Sequence, residues 1–289
     1  MSKILDFFEK LSQYKEGTIY YYPNNGNAGD ALINMGFYSL VKKYNLKFDI
    51  IDINSINCLK DKDVVLIAGG GCLVPEWDST PNFVRKINNL EFNIKLVILP
   101  HSIREVDDII INFPKDTVVF CREKYSYNYV LEKSNASEIY LSDDIAFYAD
   151  LNIIKNEING FSPSLNYKNI IRKFFILFHM IKSKNNKTIF AMRTDKESNS
   201  TLKVKRLLIN DFSLVASFGA GLYSESLYTS NQFLKLIDFY EEIYTDRLHV
   251  AIGACLLGKK VIVYNNGYYK CKGVYEQSMK HLPHIKFVE

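Results

Sequence analysis

Residues 18–40, TIYYYPNNGNAGDALINMGFYSL, contain a candidate strand, a glycine-rich turn and a candidate helix in immediate succession. Thr18–Tyr22 is rich in β-forming residues, and the apolar residues from Leu32 to Val41 recur at helical spacing. Asp30 stands just before this periodic run, so we expect it to be the N-cap residue of the helix. The stretch therefore predicts the first strand–turn–helix unit of an α/β fold.

The same succession repeats along the chain. Short, continuous β-branched segments separated by helix-length segments are typical of parallel strands buried on both faces. The further predicted strands are Asp49–Ile53, Val64–Ala68, Leu96–Leu99, Val118–Cys121, Ile139–Leu141, Thr188–Met192, Ser213–Ser217, Ile243–Thr245 and Val261–Tyr264. In the second half, helices are predicted over residues 231–242, 246–258 and 275–281.

This repetition predicts an α/β protein with two Rossmann-like domains facing a central cleft. We expect an N-terminal domain over residues 1–155 and a C-terminal domain over residues 188–289. Residues 156–187 break the rhythm and are predicted to link the two halves.

Composition excludes several classes of protein. A chain that is 47% hydrophobic and 24% charged is globular, and a net charge of +4 is too mild to indicate nucleic-acid binding. Five scattered cysteines without a CxxC pair predict buried free thiols, and no histidine spacing indicates a metal site. Without a secretory signal or a span of roughly 20 apolar residues, we expect a cytoplasmic protein.

The linking segment includes KNIIRKFFILFHMIKSKNNK, residues 168–187, which holds six basic and no acidic residues around an apolar run, Phe174–Ser183. One interpretation is a core helix with solvated basic ends. The other is an amphipathic element on an anionic membrane surface, which would make the protein peripheral on the inner face of the cell membrane.

Glycine-rich turns follow two of the predicted strands. In NNGNAGD, Asn27 and the amides of the following helix are candidates to face an anion or a sugar hydroxyl, while Asp30 either only caps or also accepts a proton from a ligand. The run Gly69–Gly71 follows VVLIA, where Gly70 and Gly71 form either a tight turn or a close approach to a ligand. The GxGxxG fingerprint of dinucleotide binding is not matched.

Cationic residues follow other strands. Arg122 comes directly after VVFC and Arg193 directly follows TIFAM, where each guanidinium can grip carboxylate or phosphate. In TDRLH, residues 245–249, Asp246 is the expected cap, and Arg247 and His249 fall in the first helical turn, where the helix dipole disfavours cations. Both side chains are candidates to bind an anion at the helix start. The alternative for His249 is a purely structural role. The pattern predicts a cleft without metal for a small, strongly anionic substrate.

These residues give the chain its resemblance to the polysaccharide pyruvyl transferase family. The similar stretches occur in the family's order and are GNAGDALI (26–33), AGGGCL (68–73), CREKYS (121–126), Asp144–Ala146, MRTDKE (192–197), TDRLHVAIGACLLGKKVIVY (245–264) and NNGYYK (265–270). The TDRLH element is the most specific of them.

The resemblance implies a fold similar to the GT-B glycosyltransferases, with an N-terminal acceptor side and a C-terminal donor side. It implies phosphoenolpyruvate as donor and a hexose of a surface polysaccharide or lipid-linked repeat unit as acceptor, with a cyclic pyruvate ketal and phosphate as products and no cofactor. By motif match, Arg122, Arg247, Leu248 and His249 would hold the donor.

Roles can be assigned on this basis. His249 would protonate the donor's C3, Asp30 would be the base on the opposing domain, and Lys270 would help Arg247 to stabilise the departing phosphate. The family often carries Gln and Gly in place of His in PHSI, residues 100–103, so His101 is interpreted either as facing the acceptor or as a loop histidine.

Two other functions fit the same features. One is a GT-B-type glycosyltransferase that uses a nucleotide sugar, and the other is a binding module that kept the fold without catalysis. The first predicts nucleoside diphosphate binding, and the second predicts ligand binding without phosphate release.

Overall fold

The computed structural model describes residues 2–157, 161–195, 197–198 and 204–289. Contacts divide the chain into two compact units. The first contains the residues up to Pro23 and Phe37–Ile145, and the second contains Asn24–Gly36 and Ala146–Glu289. The second unit thus also takes in residues 24–36 and 146–187, which the sequence analysis assigned to the N-terminal domain and the linker. The predicted domain boundaries stay predictions.

The first unit is built on a parallel sheet of seven strands. They are β1 (Ile19–Tyr22), β2 (Asp49–Ile50), β3 (Val64–Ile67), β4 (Gly70–Leu73), β5 (Lys95–Ile103), β6 (Val118–Cys121) and β7 (Glu138–Leu141). Their order is β2-β1-β3-β5-β6-β7, and β4 pairs with β5. Around the sheet lie α1 (Lys3–Leu11), α2 (Ala28–Tyr44, which spans both units), α3 (Ser79–Asn88), α4 (Asp107–Ile110) and α5 (Lys124–Lys133).

The core of this unit confirms the interpretation of the continuous apolar runs. All four residues of β3 and all four of β6 are buried, as expected of parallel strands covered on both faces. Because β1 lies between β2 and β3, the sheet has a topological switch point at the ends of β1 and β3, where Ala68 N donates to Tyr22 O at 3.0 Å.

The second unit holds a smaller parallel sheet in the order β11-β10-β9-β8. Its strands are β8 (Thr188–Phe190), β9 (Glu242–Thr245), β10 (Lys260–Tyr264) and β11 (Ile285–Val288). Its further helices are α6 (Leu151–Asn156), α7 (Tyr167–Lys182), α8 (Phe212–Val215), α9 (Tyr223–Asp238), α10 (Leu248–Leu256) and α11 (Lys270–Val274), and a π-helical turn over Tyr275–Met279 follows.

Several sequence predictions need correction. Ser213–Ser217 was expected to be a strand but lies largely in α8, whose Phe212 and Val215 are both buried. The run Gly69–Gly71, interpreted either as a tight turn or as a close approach to a ligand, leads into a strand that was not predicted, β4, and β11 was not predicted either. Among the cysteines, Cys121 and Cys271 are buried as expected, whereas Cys58 is exposed.

Within the described part of the chain, no helix is both long and apolar enough to cross a bilayer.

Candidate functional site

The glycine-rich turn after β1 forms the start of α2. Asn27 Oδ1 accepts a hydrogen bond from Gly29 N at 2.8 Å, and Asp30 Oδ2 accepts one from Asn27 N at 2.8 Å. This reciprocal pattern is a capping box, so Asn27 is the N-cap and Asp30 occupies the third helical position. The prediction that Asp30 is the N-cap is therefore wrong, because the helix begins one turn before its apolar periodicity does.

Residues 24–36 group with the second unit through a buried amide that the sequence did not single out. Asn34 Nδ2 donates to Asn24 O at 2.9 Å and to Ala220 O at 2.6 Å. Asn34 is fully buried, so these bonds satisfy a group that is costly to leave unpaired. They join the turn and the start of α2 to the segment that precedes α9.

Gly29 brings this turn against the TDRLH element. A Cβ atom at residue 29 would lie 2.6 Å from His249 Nδ1 and 2.9 Å from His249 Cβ and Cγ, closer than side-chain contacts permit. Only glycine fits at residue 29, because any side chain there would overlap His249. Asp30 thus lies in the same unit as His249, whereas the sequence analysis placed the two on opposing domains.

The TDRLH element connects β9 to α10. Thr245 Oγ1 donates to Ala191 O at 2.6 Å and accepts from Arg247 N at 3.0 Å. Arg247 is the N-cap of α10 and makes no side-chain capping bond, which leaves His249 in the second helical position. An arginine has no acceptor, so this helix lacks the side-chain cap that Asn27 gives α2.

Asp246 does not cap α10, as had been expected. Its carboxylate accepts from Arg193 N at 2.7 Å and from Arg206 Nη1 at 3.0 Å. The fully buried Asp246 therefore links the ends of β8 and β9.

The guanidinium of Arg247 is held by two carboxylates. Arg247 Nε and Nη2 donate to the two oxygens of Asp211 at 2.9 and 2.5 Å, and Nη1 lies 2.8 Å from Asp195 Oδ2. Asp211 is fully buried, while the side chain of Asp195 is 27% exposed. The bidentate ion pair with Asp211 is thus the fixed contact of the guanidinium, and the contact with Asp195 is the more exposed one.

Arg193 and Lys270 complete the cluster. Arg193 Nε donates to Asp195 Oδ1 at 2.8 Å, and Arg193 Nη1 and Lys270 Nζ both reach Glu197 Oε2, at 2.6 and 2.5 Å. Burial opposes ionisation of Glu197, but Lys270 and Arg193 outweigh it and lower the pKa of Glu197 to about 2. Glu197 therefore stays ionised in the folded protein.

Charges in this cluster balance. Among the residues that the structure describes, it contains four cations and four carboxylates, namely Arg193, Arg206, Arg247 and Lys270 with Asp195, Glu197, Asp211 and Asp246. The sequence analysis found three of the cations, and of their acidic partners it named only Asp246, which it took for a helix cap. The adjacent acids of MRTDKE were a signal for two of these partners, whereas nothing local indicates Asp211.

Arg122 lies in the first unit and is buried. Its Nε donates to Ser102 Oγ at 2.9 Å and its Nη1 to Asp144 Oδ2 at 2.7 Å. Asp144 is itself fully buried, so the pair satisfies two charges that would be costly alone. Arg122 and Arg247 belong to different units, and their predicted sharing of one substrate stays a prediction.

His101 supports the backbone around β4. Its Nε2 accepts from Cys72 N at 2.9 Å and from Leu73 N at 3.1 Å, so the proton lies on Nδ1, which donates to Ala68 O at 3.1 Å. His101 is fully buried inside β5, so the loop interpretation is wrong. Both ring nitrogens are engaged within the unit.

The glycines predicted to approach a ligand lie beside this histidine. Gly70 begins β4, pairs with His101, and has a φ of 135°, a conformation that favours glycine. Gly70 is buried and Gly71 is partly exposed. Neither forms the simple tight turn that was one of the two interpretations.

The chain is thus a parallel α/β protein with charged residues at the carboxyl ends of its strands, which is the edge where proteins of this class bind their ligands. More particularly, the chain belongs to the polysaccharide pyruvyl transferase family, whose model matches residues 27–268. This match confirms the resemblance given by the motifs.

The fold is similar to a crystal structure of a functionally uncharacterised protein from Klebsiella pneumoniae subsp. pneumoniae. The two are 28% identical, the similarity covers 100% of each chain, and the TM-score is 0.72. No curated protein gives a significant match to the chain.

We expect His101→Gln to reduce the acid sensitivity of the fold. Burial, aided by the Arg122 guanidinium, lowers the pKa of His101 to about 3. The unfolded chain binds a proton near pH 6.5 and the folded one does not, so the free energy of unfolding falls by on the order of 5 kcal/mol as pH falls through this window. A glutamine can make the same backbone bonds without titrating.

Urea unfolding between pH 7 and the acid limit of stability measures this slope. The exposed His281→Gln is the matched control and should leave the slope unchanged. An unaltered slope in His101→Gln would contradict the buried, neutral imidazole.

We expect Gly29→Ala to destabilise the protein by about 1–3 kcal/mol, because the new methyl group overlaps the His249 ring. In a His249→Gly background the same substitution should be close to neutral or stabilising, because the ring and the Cβ atom that would lie 2.9 Å from the new methyl group are both gone and alanine is the better helix former. A double-mutant cycle by urea unfolding isolates this coupling. Equal destabilisation in both backgrounds would show that Gly29 does not pack on His249.

Proposed function

We propose that the protein transfers the enolpyruvyl group of phosphoenolpyruvate to a hexose of a surface polysaccharide or lipid-linked repeat unit. The products are a cyclic pyruvate ketal and phosphate, and the reaction uses no cofactor or metal. Membership of the family supports the transferase class. The observation that carries the proposal is the packing of Gly29 on His249, which joins two of the family's motifs in one unit. The proposal includes the GT-B-like arrangement that the resemblance implies.

The donor has a phosphate and a carboxylate, and we place one of them at the start of α10. The first-turn amides and the helix dipole favour an anion there, and Arg247 as N-cap supplies no acceptor of its own. Leu248 is buried and would contribute its backbone N–H rather than its side chain.

Substrate oxygens would take the place of Asp195 on Arg247. Asp211 stays bound because it is fully buried, whereas the partly exposed Asp195 also pairs with Arg193 and can keep that contact. An exchange of one carboxylate for another leaves the charge balance of the cluster nearly unchanged. Lys270 and Arg193 then stabilise the site through Glu197 and assist the departing phosphate.

His249 is the proposed general acid. An imidazole titrates near neutrality, and protonation of the donor's C3 makes C2 electrophilic. One acceptor hydroxyl forms a bond to C2, a second closes the ring, and the C2–O bond to phosphate breaks. Of the two hydroxyl protons released, one balances the proton given to C3 and the other leaves with phosphate.

Asp30 remains the candidate base for the acceptor hydroxyl. Its carboxylate already accepts from Asn27 N in the capping box, which fixes its orientation near the Gly29–His249 contact. Asn27, Gly70 and Gly71 stay candidate acceptor contacts. His101 takes no role in the proposal, because its ring atoms are committed to the backbone.

The direct test is release of phosphate from phosphoenolpyruvate in the presence of lipid-linked glycan fractions. Thermal-shift measurements with phosphoenolpyruvate and with UDP, GDP and CMP sugars separate the proposal from a nucleotide-sugar glycosyltransferase. Stabilisation by phosphoenolpyruvate alone is expected. Stabilisation by a nucleotide sugar alone would contradict the donor, and binding without phosphate release would indicate a binding module.

His249→Ala should lower turnover by roughly 100-fold to 10,000-fold, the range for loss of a general acid. Phosphoenolpyruvate binding should persist, because the helix start and Arg247 remain. Steady-state phosphate release and a thermal shift measure the two properties. The matched control is the exposed His281→Ala, which should behave as the native protein. Near-normal turnover in His249→Ala would reduce His249 to a structural residue.

Arg247→Lys should lower kcat/KM for phosphoenolpyruvate by about tenfold to 100-fold, the value of one or two charge-assisted hydrogen bonds. Lysine keeps the charge, but it cannot bind Asp211 with two parallel bonds and reach the donor as well. The control is Arg85→Lys, an exposed arginine of the first unit. Full activity of Arg247→Lys would show that the guanidinium fork has no role in donor binding.

A further inference from the structure

Helix α7 turns its apolar residues to solvent. Six residues at helical spacing form one exposed apolar stripe, Tyr167, Ile170, Phe174, Leu177, Phe178 and Ile181. Tyr167 is 77% exposed and Phe174 is 63% exposed, values far from those of a core. A contiguous stripe of this kind on a protein surface marks an interaction site.

The opposite face of α7 holds the helix to its unit by polar contacts. His179 is buried between Tyr240 Oη, 2.6 Å from its Nδ1, and Ile209 O, 2.7 Å from its Nε2. Asn169 is buried as well, and Arg172 lies over the Phe218 ring at 6.0 Å. The helix therefore docks through its polar side, and the interpretation of residues 168–187 as a core helix is wrong.

Basic residues accompany the stripe. At about 100° per residue, Lys173 lies on one flank of the stripe and Lys182 on the other, and Lys184 follows at the end of the helix. Residues 168–187 contain six basic and no acidic residues. An apolar stripe between flanking lysines matches the interface of an anionic bilayer, where the lipid acyl chains meet the headgroups.

We propose that α7 lies in the surface of an anionic phospholipid membrane and attaches the protein there. The apolar stripe enters the acyl boundary, and the lysines contact the headgroup phosphates. This docking goes beyond the proposed reaction and does not depend on it. For a lipid-linked acceptor it would supply proximity at the bilayer surface.

Charge argues against a second copy of the chain as the occupant. Two copies meeting through α7 would bring six basic residues of each segment together with no acidic residue of either to neutralise them. A membrane rich in phosphatidylglycerol supplies the missing negative charge.

The first test is co-sedimentation with vesicles of phosphatidylcholine mixed with phosphatidylglycerol. The double variant Phe174→Ser with Ile181→Ser should partition about 100-fold more weakly, roughly tenfold for each apolar side chain that no longer enters the bilayer. The matched control is Ile111→Ser with Leu131→Ser, two exposed apolar residues of the first unit, which should bind as the native protein does. Both variants alter exposed side chains, so thermal unfolding should change little.

The second test concerns charge. Lys173→Gln with Lys184→Gln should weaken partitioning by about 30-fold, roughly fivefold for each lysine, and should reduce its dependence on salt. The control is Lys115→Gln with Lys124→Gln, which removes the same charge from exposed sites of the first unit. Vesicles of phosphatidylcholine alone should bind weakly.

Three results would overturn the proposal. They are native-like vesicle binding by Phe174→Ser with Ile181→Ser, equal binding to both vesicle types, or a lipid-free dimer that this variant abolishes. Phosphate release with a water-soluble acceptor should be unchanged in the variant. Loss of that activity as well would show that α7 serves the reaction rather than the membrane.

Discussion

The bidentate ion pair between Arg247 and Asp211 is the interaction on which the rest of the candidate site depends. A fully buried carboxylate is tolerable only when it is paired and hydrogen-bonded, so Asp211 fixes the guanidinium that begins α10. His249 follows two residues later, and its ring leaves room for nothing larger than glycine at residue 29. One ion pair thus sets the position of the helix start, the imidazole and the turn of α2 together.

Neutrality of the surrounding cluster explains how four buried or half-buried cations can lie close together. Each is offset by a carboxylate, and the pKa of Glu197 is lowered to about 2 because two cations share it. Under the proposed function, an incoming anionic group replaces one carboxylate of the cluster rather than adding to all four. An anionic substrate would thus bind Arg247 only by displacing Asp195, which would limit its affinity and favour release of product.

Patterns confined to neighbouring residues were predictable, and contacts between distant ones were not. Continuous apolar runs identified β3 and β6, and the TDRLH motif predicted the start of α10 with His249 in its first turn. Arg247, expected in that turn as well, is the N-cap instead. Asp211, 36 residues from Arg247, carried no local signal, and neither did the bonds of Asn34 that group residues 24–36 with the second unit. The apolar pattern of α7 predicted an amphipathic helix but not which side faces solvent, because its docking face is polar.

A crystal structure with phosphoenolpyruvate bound tests the central claim most directly. We predict a substrate oxygen within about 2.7–3.2 Å of both the Arg247 guanidinium and a first-turn amide of α10, with Asp195 displaced and Asp211 still bound. Phosphoenolpyruvate held elsewhere, with the contact between Arg247 and Asp195 intact, would contradict the account.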